Sequence, residues 1–324
     1  MATSISLSDV FAARDRIRGI ASRTPLRRSI SLSLEQKRNV YCKIESMQAT
    51  GAFKLRGAAN AVLALDAPRR KRGVVAASSG NHGRAIAYVA QQLGIDATVY
   101  LSTMVPESKI NSIRCLGAKV VVGGNDQNAA ITRARALAEQ QNSTYICSFD
   151  DRNVIAGQAT IGLEIIEDCP HLDAVIVQVS GGGLAAGVSM VVKTVSPRTR
   201  TIGVTMAAGA SMYHSLQAGH PVEVQEESTL ADGLQGGVLL DNQYTFAMCQ
   251  KYLDDLMLIS EEQIAEAMRY AFRNDHLVME GAAACGLALL RDPRSTELGT
   301  TVATICTGDN IGADSFLDIV DGGL

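Results

Sequence analysis

Short apolar runs alternate along this chain with longer segments of helical spacing. Gly73-Val74-Val75-Ala76-Ala77, Ala97-Thr98-Val99-Tyr100-Leu101, Lys119-Val120-Val121-Val122, Asp173-Ala174-Val175-Ile176-Val177-Gln178-Val179, Thr201-Ile202-Gly203-Val204 and Val302-Ala303-Thr304-Ile305-Cys306 read as strands. Segments such as Arg84-Ala85-Ile86-Ala87-Tyr88-Val89-Ala90 carry the helical pattern, and Ser8-Asp9-Val10-Phe11 opens an amphipathic helix near the start. Strands that alternate with helices predict an α/β fold with mostly parallel sheets flanked by helices.

A chain of 324 residues with 47% hydrophobic content can bury a large core, which suggests one large or two moderate domains. A net charge of −3 without a long basic run gives no reason to expect nucleic acid, and no apolar run reaches membrane-spanning length. The seven cysteines, at 42, 115, 147, 169, 249, 285 and 306, are scattered and free of CxxC pairs. They argue against a disulfide or zinc framework and fit a reducing cytoplasm. The N-terminus has no apolar core of a signal peptide, and Asp9 and Asp15 argue against a transit peptide.

Three loops carry candidate chemistry. In Gly51-Ala52-Phe53-Lys54-Leu55-Arg56-Gly57-Ala58 a lone lysine sits among small and apolar residues. Loss of solvation lowers the pKa of such an amine, which can then hold an aldehyde as a Schiff base; a snorkelling lysine at a helix start is the plainer alternative. Ser78-Ser79-Gly80-Asn81-His82-Gly83 joins a strand to a helix and reads as a ligand loop or an ordinary serine-capped turn. Ser180-Gly181-Gly182-Gly183-Leu184 ends a buried strand, and three adjacent glycines there suit a main chain that cradles phosphate at a helix N-terminus. A dinucleotide loop is its rival, but a clean GxGxxG followed by an acidic residue is missing.

Together the three loops resemble the fold-type II pyridoxal-phosphate enzymes, and within them the serine/threonine dehydratase and serine racemase family. The resemblance extends over nearly the whole chain through Thr24-Pro25-Leu26, Val154-Ile155-Ala156-Gly157-Gln158, Leu230-Ala231-Asp232-Gly233 and Thr307-Gly308-Asp309-Asn310. It implies a smaller, substrate-closing domain at residues 73–148 inserted into a larger cofactor-binding domain formed by 1–72 and 149–324, with the active site between them. It implies pyridoxal 5'-phosphate as cofactor and Lys54 as the Schiff-base lysine and general base. Phe53 would lie against the cofactor ring, Asn81 would bond its hydroxyl, and Glu280 would approach its edge. Ser180, Gly181, Gly182, Gly183 and Leu184 would hold the phosphate, while Thr307 would face the ring nitrogen. A neutral partner there leaves the pyridine a weaker electron sink and favours elimination or racemisation over transamination. Ser78, Ser79, Asn81 and His82 would bind the substrate carboxylate, with Ser79 also matching the opposite-face acid/base of serine racemases. His82 has the further option of titrating near neutrality. Glu280 has the plainer option of capping a helix.

Where the metal-activated relatives carry acidic ligands, this chain has Thr205, Gly209 and Ser211, so no metal is expected there. A site through Glu223 or Asp232 is the alternative. Arg133 is expected on a solvent-facing helix, and Asp126 in the preceding loop would disfavour a dicarboxylate substrate. These departures, with Asn242-Gln243-Tyr244-Thr245-Phe246-Ala247-Met248 and Val278-Met279-Glu280-Gly281-Ala282, look most like the branch called hydroxyectoine utilisation dehydratase. The leading expectation is α,β-elimination of water, with release of ammonia, from a 3-hydroxy amino acid, with no nucleic-acid or membrane partner. An amino-acid racemase and a non-catalytic amino-acid-binding regulator are the alternatives. A dehydrogenase rests on the glycine loop alone, and a homodimer is implied by the resemblance.

Overall fold

The computed structural model describes residues 5–322 apart from 79, 102, 104, 106 and 124–126. Among the described residues, ten strands form two sheets: β1 (Leu26–Arg28), β2 (Asn39–Ile44), β3 (Val74–Ala77), β4 (Ala97–Leu101), β5 (Lys119–Val122), β6 (Thr144–Tyr145), β7 (Ala174–Gln178), β8 (Arg200–Met206), β9 (Asp255–Ile259) and β10 (Thr301–Cys306). The larger sheet has the order β1-β2-β10-β7-β8-β9 and is parallel except where β1 meets β2. The smaller, β5-β4-β3-β6, is parallel throughout and lies in sequence between β2 and β7.

Strands buried on both faces explain why the apolar runs lack polar alternation. In β7, Ala174 and Ile176 enter one core while Val175 and Val177 enter the core on the other face. Val74 and Ala76 of β3 face one side of the smaller sheet, and Val75 and Ala77 face the other. Helices cover all four faces, giving the α/β architecture that the alternation of patterns predicts.

The first helix begins earlier than its sequence suggests. It spans Leu7–Arg16 with Ser6 as its N-cap, because Ser6 and Asp9 satisfy each other's backbone in a reciprocal capping box. Arg133 is exposed on the helix Gln127–Gln140, as expected. Among the described residues, no helix is long and apolar enough to cross a membrane.

Candidate active site

Beyond the C-terminal ends of β3, β7 and β10 lies a cavity of about 550 Å³ lined from both sheets. This is the place where parallel α/β sheets leave a crevice for ligands. Phe53, Lys54, Ser78, Asn81, His82, the Ser180–Leu184 loop, Glu280 and Thr307 all line it. Ser79, the expected opposite-face acid/base, and Asp126 lie outside the described residues.

Lys54 opens the helix Lys54–Ala64, directly after Phe53 at the N-cap position. The turn before it is stitched to the chain after β10: Phe53 N donates to Thr307 O at 3.0 Å and Asp309 N to Gly51 O at 3.0 Å. Gly51 has φ of 71°, and a Cβ there would stand 2.5 Å from Asp309 Oδ1, so glycine is needed for this close approach. Lys54 Nζ donates to Ser148 O at 3.0 Å and lies 5.3 Å from the centre of the Phe53 ring. Burial lowers its pKa to about 8, an effect that electrostatic interaction with Cys147 and Glu280 offsets only in part.

The helix that carries Lys54 is held by charges inside the protein. Arg56 donates to both oxygens of Glu45 at 2.8 Å and to both oxygens of Glu164 at 2.6 and 2.8 Å. Lys43 adds a second cation, 2.5 Å from Glu164 Oε2. Gly57 and Gly157 let this helix approach Arg152–Asp168 closely, since a Cβ on Gly157 would meet Arg56 O at 2.5 Å.

Gly181, Gly182 and Gly183 lead from β7 into the helix Gly183–Val195. A Cβ on Gly181 would stand 2.6 Å from the Phe149 ring, one on Gly183 would stand 2.8 Å from Phe149 O, and Gly182 has φ of 91°. The first-turn amides have no partner within the helix, and the N-cap glycine offers no side chain to cap them.

Asn81 begins the helix Asn81–Leu93, whose N-cap is Gly80 rather than a serine. Its Nδ2 donates to Glu280 Oε1 at 2.8 Å, and its Oδ1 accepts from Asn310 Nδ2 at 2.6 Å. Glu280 occupies the N-cap position of Gly281–Arg291, but its side chain does not cap that helix. Burial, reinforced by Asp232, raises Glu280 to about 8. His82 does not titrate near neutrality: burial, with the charge of Lys54 adding to it, lowers it to about 3. Its ring stays neutral, with Nε2 3.2 Å from Ile146 O.

Sequence reading passed over Arg84, Ser148, Phe149, Gln178 and Asn310, which also line the cavity. Gln178 had a visible signal, being the one polar side chain at the end of an apolar strand. Its Nε2 donates to Ile305 O at 2.8 Å and to Ala283 O at 3.1 Å, while its buried Oε1 has no partner among the described residues. Ser148 and Phe149 carry no such signal, since their roles arise from contacts distant in sequence.

These features fit pyridoxal phosphate. An uncapped helix N-terminus behind a glycine turn suits a phosphate dianion. A half-buried amine whose hydrogen bond, among the described residues, goes to a carbonyl suits an aldehyde, and the neutral hydroxyl of Thr307, a residue 3% exposed, suits a ring nitrogen. Among the described residues, no cluster of three His, Cys, Asp or Glu side chains is placed to hold a metal.

Comparison with known proteins defines the class. The family described as "Pyridoxal-phosphate dependent enzyme" matches residues 17–308. A Sinorhizobium fredii relative, named as an inferred threonine dehydratase, is 43% identical over 99% of this chain and 96% of its own. L-Threonine ammonia-lyase of Thermotoga maritima is 39% identical over 99% of this chain and 79% of its own. Maize serine racemase superposes with a TM-score of 0.91 at 28% identity, over 98% of this chain and 97% of its own. The chain therefore belongs to the pyridoxal-phosphate dependent enzymes and is similar to their threonine dehydratases.

Proposed function

We propose that the protein eliminates water from a small 3-hydroxy amino acid and that hydrolysis of the resulting imine releases ammonia and a 2-oxo acid. The observation that carries this reading is the Lys54 amine, lowered to about 8 and facing a cavity that is otherwise well supplied with hydrogen-bond donors. When bound, pyridoxal phosphate supplies the electron sink that makes the substrate α-proton removable. Phe53, Lys54, Asn81, Glu280, Thr307 and the Ser180–Leu184 loop are the residues we assign to holding it.

In this reading Lys54 Nζ, as the free amine, removes the α-proton as general base. Ser148 O orients that amine. Ser78, Ser79, Asn81 and His82 bind the substrate carboxylate; neutral His82 can contribute only a hydrogen bond, not a charge. Loss of the α-proton and of the β-hydroxyl as water leaves an enamine. Its imine tautomer is hydrolysed to the 2-oxo acid and ammonia.

Residues 73–148 are proposed to close on the larger unit as a smaller domain. Ion pairs of Lys109 with Asp232 and of Arg135 with Asp241 join the two. Closure excludes water while Lys54 is acting.

For the substrate we propose a neutral or amine-bearing 3-hydroxy amino acid, with the hydroxyectoine-derived 3-hydroxy-2,4-diaminobutyrate as its most specific form. Racemisation on the same scaffold is the second reading, favoured by the likeness to maize serine racemase. The test offers the cofactor-loaded protein L-threonine, L-serine, threo-3-hydroxyaspartate and 3-hydroxy-2,4-diaminobutyrate, with 2-oxo acid and ammonia as the readouts. Equal release of both from one of them supports elimination and names its class. Interconversion of enantiomers without ammonia would replace it with the racemase.

A further inference from the structure

Four side chains beside Lys54 form a hydrogen-bonded chain that has only one possible direction. Arg84 NH1 donates to Asn310 Oδ1. Asn310 Nδ2 then donates to Thr50 O at 2.9 Å and to Asn81 Oδ1 at 2.6 Å. Asn81 Nδ2 donates onward to Glu280 Oε1 at 2.8 Å. An asparagine amide is nearly symmetric in shape, so packing alone does not decide whether its oxygen or its nitrogen faces a given neighbour. A guanidinium has donors and no acceptor, and the Thr50 carbonyl only accepts, so the two act on Asn310 in the same sense, Arg84 from its oxygen and Thr50 from its N–H. Once Asn310 Oδ1 is held by Arg84, both of its N–H groups are committed to Thr50 O and Asn81 Oδ1. With its oxygen thus occupied, Asn81 has one N–H for Glu280 and the second for the cavity.

We infer that Arg84 is a positioning residue that fixes the amide of Asn81 with its N–H, not its oxygen, toward the cofactor. The inference rests on the proposed role of Asn81 as the cofactor's hydrogen-bond donor. Arg84 acts through Asn310 and touches neither cofactor nor substrate in this role. Without it, Asn310 Oδ1 loses its donor and the Thr50 carbonyl alone still opposes rotation of that amide, so the orientation of Asn81 is held less firmly. In the rotated arrangement an acceptor would face the electron-rich ring oxygen, replacing an attraction with a repulsion.

The test is titration of the apoprotein with pyridoxal 5'-phosphate, following the dissociation constant and the visible absorbance band of the bound cofactor, with apoprotein melting recorded alongside. Arg84→Met is expected to weaken binding about tenfold, the scale of one lost hydrogen bond to a charged group. It should also shift the absorbance band while leaving the apoprotein melting temperature unchanged. Arg84→Lys, still a cation with only donors, should recover most of the affinity. Asn310→Asp keeps a partner for Arg84 but cannot donate to Asn81, so it should weaken binding and shift the band as Arg84→Met does; this arm stands even if Arg84→Met fails to fold. Unchanged affinity and absorbance in Arg84→Met or in Asn310→Asp would overturn the inference. Asn81→Ala separates the two levels: if it too leaves binding and absorbance unchanged, the proposed role of Asn81 fails; if only Asn81→Ala matters, Arg84 alone is wrongly assigned.

Discussion

The ring of Phe149 lies against Gly181, occupying the space that a Cβ on that glycine would enter, 2.6 Å from the ring carbons. The side chain just after Ser148, whose carbonyl accepts from Lys54, therefore shapes the loop proposed for phosphate. Asp150 and Asp151 continue the junction. Asp150 Oδ1 accepts from Tyr244 and Thr245 N, both at 2.9 Å, and Asp151 caps the helix Arg152–Asp168. Gly181→Ala should displace the loop at a cost of about 1–3 kcal/mol in stability, as for other overpacked sites. It should also reduce affinity for pyridoxal phosphate at least tenfold. Cofactor titration with denaturant unfolding checks both, and wild-type affinity would show that Phe149 yields without moving the loop.

The buried cluster beneath Lys54 makes a different prediction. Arg56→Met leaves the carboxylates of Glu45 and Glu164 without their main partner, and Lys43 can offset only part of the loss. Breaking one partner of such a network costs about 3–5 kcal/mol, most of it the penalty of an uncompensated buried charge. Urea unfolding of the apoprotein measures it. A loss below about 1 kcal/mol would mean that water or rearrangement compensates these charges.

His82 ties stability to acid pH. It takes a proton near 6.5 when unfolded but not until about 3 when folded. Between those values the unfolded chain binds more protons, so this group destabilises the fold increasingly as pH falls, by about 1.4 kcal/mol per pH unit. His82→Gln should flatten the dependence by about one proton, read as the change in slope of unfolding free energy from pH 6.5 to 4. An unchanged slope would show that His82 becomes protonated in the fold.

Glu280 acts in the opposite direction. Its folded value of about 8 lies above the ordinary 4.5, so the native state holds the extra proton between them. Its contribution to stability is full below 4.5 and is lost as pH rises toward 8. Glu280→Gln, an isostere of the protonated acid, should leave the apoprotein near wild-type stability at pH 5 and make it more stable at pH 8. Melting curves at the two pH values decide it; a variant equally destabilised at both would mean that the carboxylate is needed ionised.

Much of the cavity was legible in the sequence because its chemistry demanded unusual residues. Three glycines after a buried strand, a lysine among alanines and a Ser-Gly-Asn turn all contradict what ordinary packing would select. The alternation of apolar runs with helical spacing likewise made the parallel α/β layers readable. What escaped depends on contacts between distant segments. Phe149 looks like any core aromatic until Gly181 is folded onto it, and Arg84 looks like a surface arginine until Asn310 arrives from the far end of the chain. The neutrality of His82 belongs to this group too, since a loop histidine becomes fully buried only when the strand ending near Ile146 packs over it. At the N-terminus, the reciprocal bond between Ser6 and Asp9 starts the helix at Leu7, one residue before the start at Ser8 read from the sequence.

Reduction of the cofactor-loaded protein with borohydride, followed by peptide mass spectrometry, tests the central assignment most directly. The account predicts one pyridoxyl group per chain, on the Lys54 peptide, and none in Lys54→Ala. A pyridoxyl group on Lys109 or another lysine, with Lys54 unmodified, would contradict it.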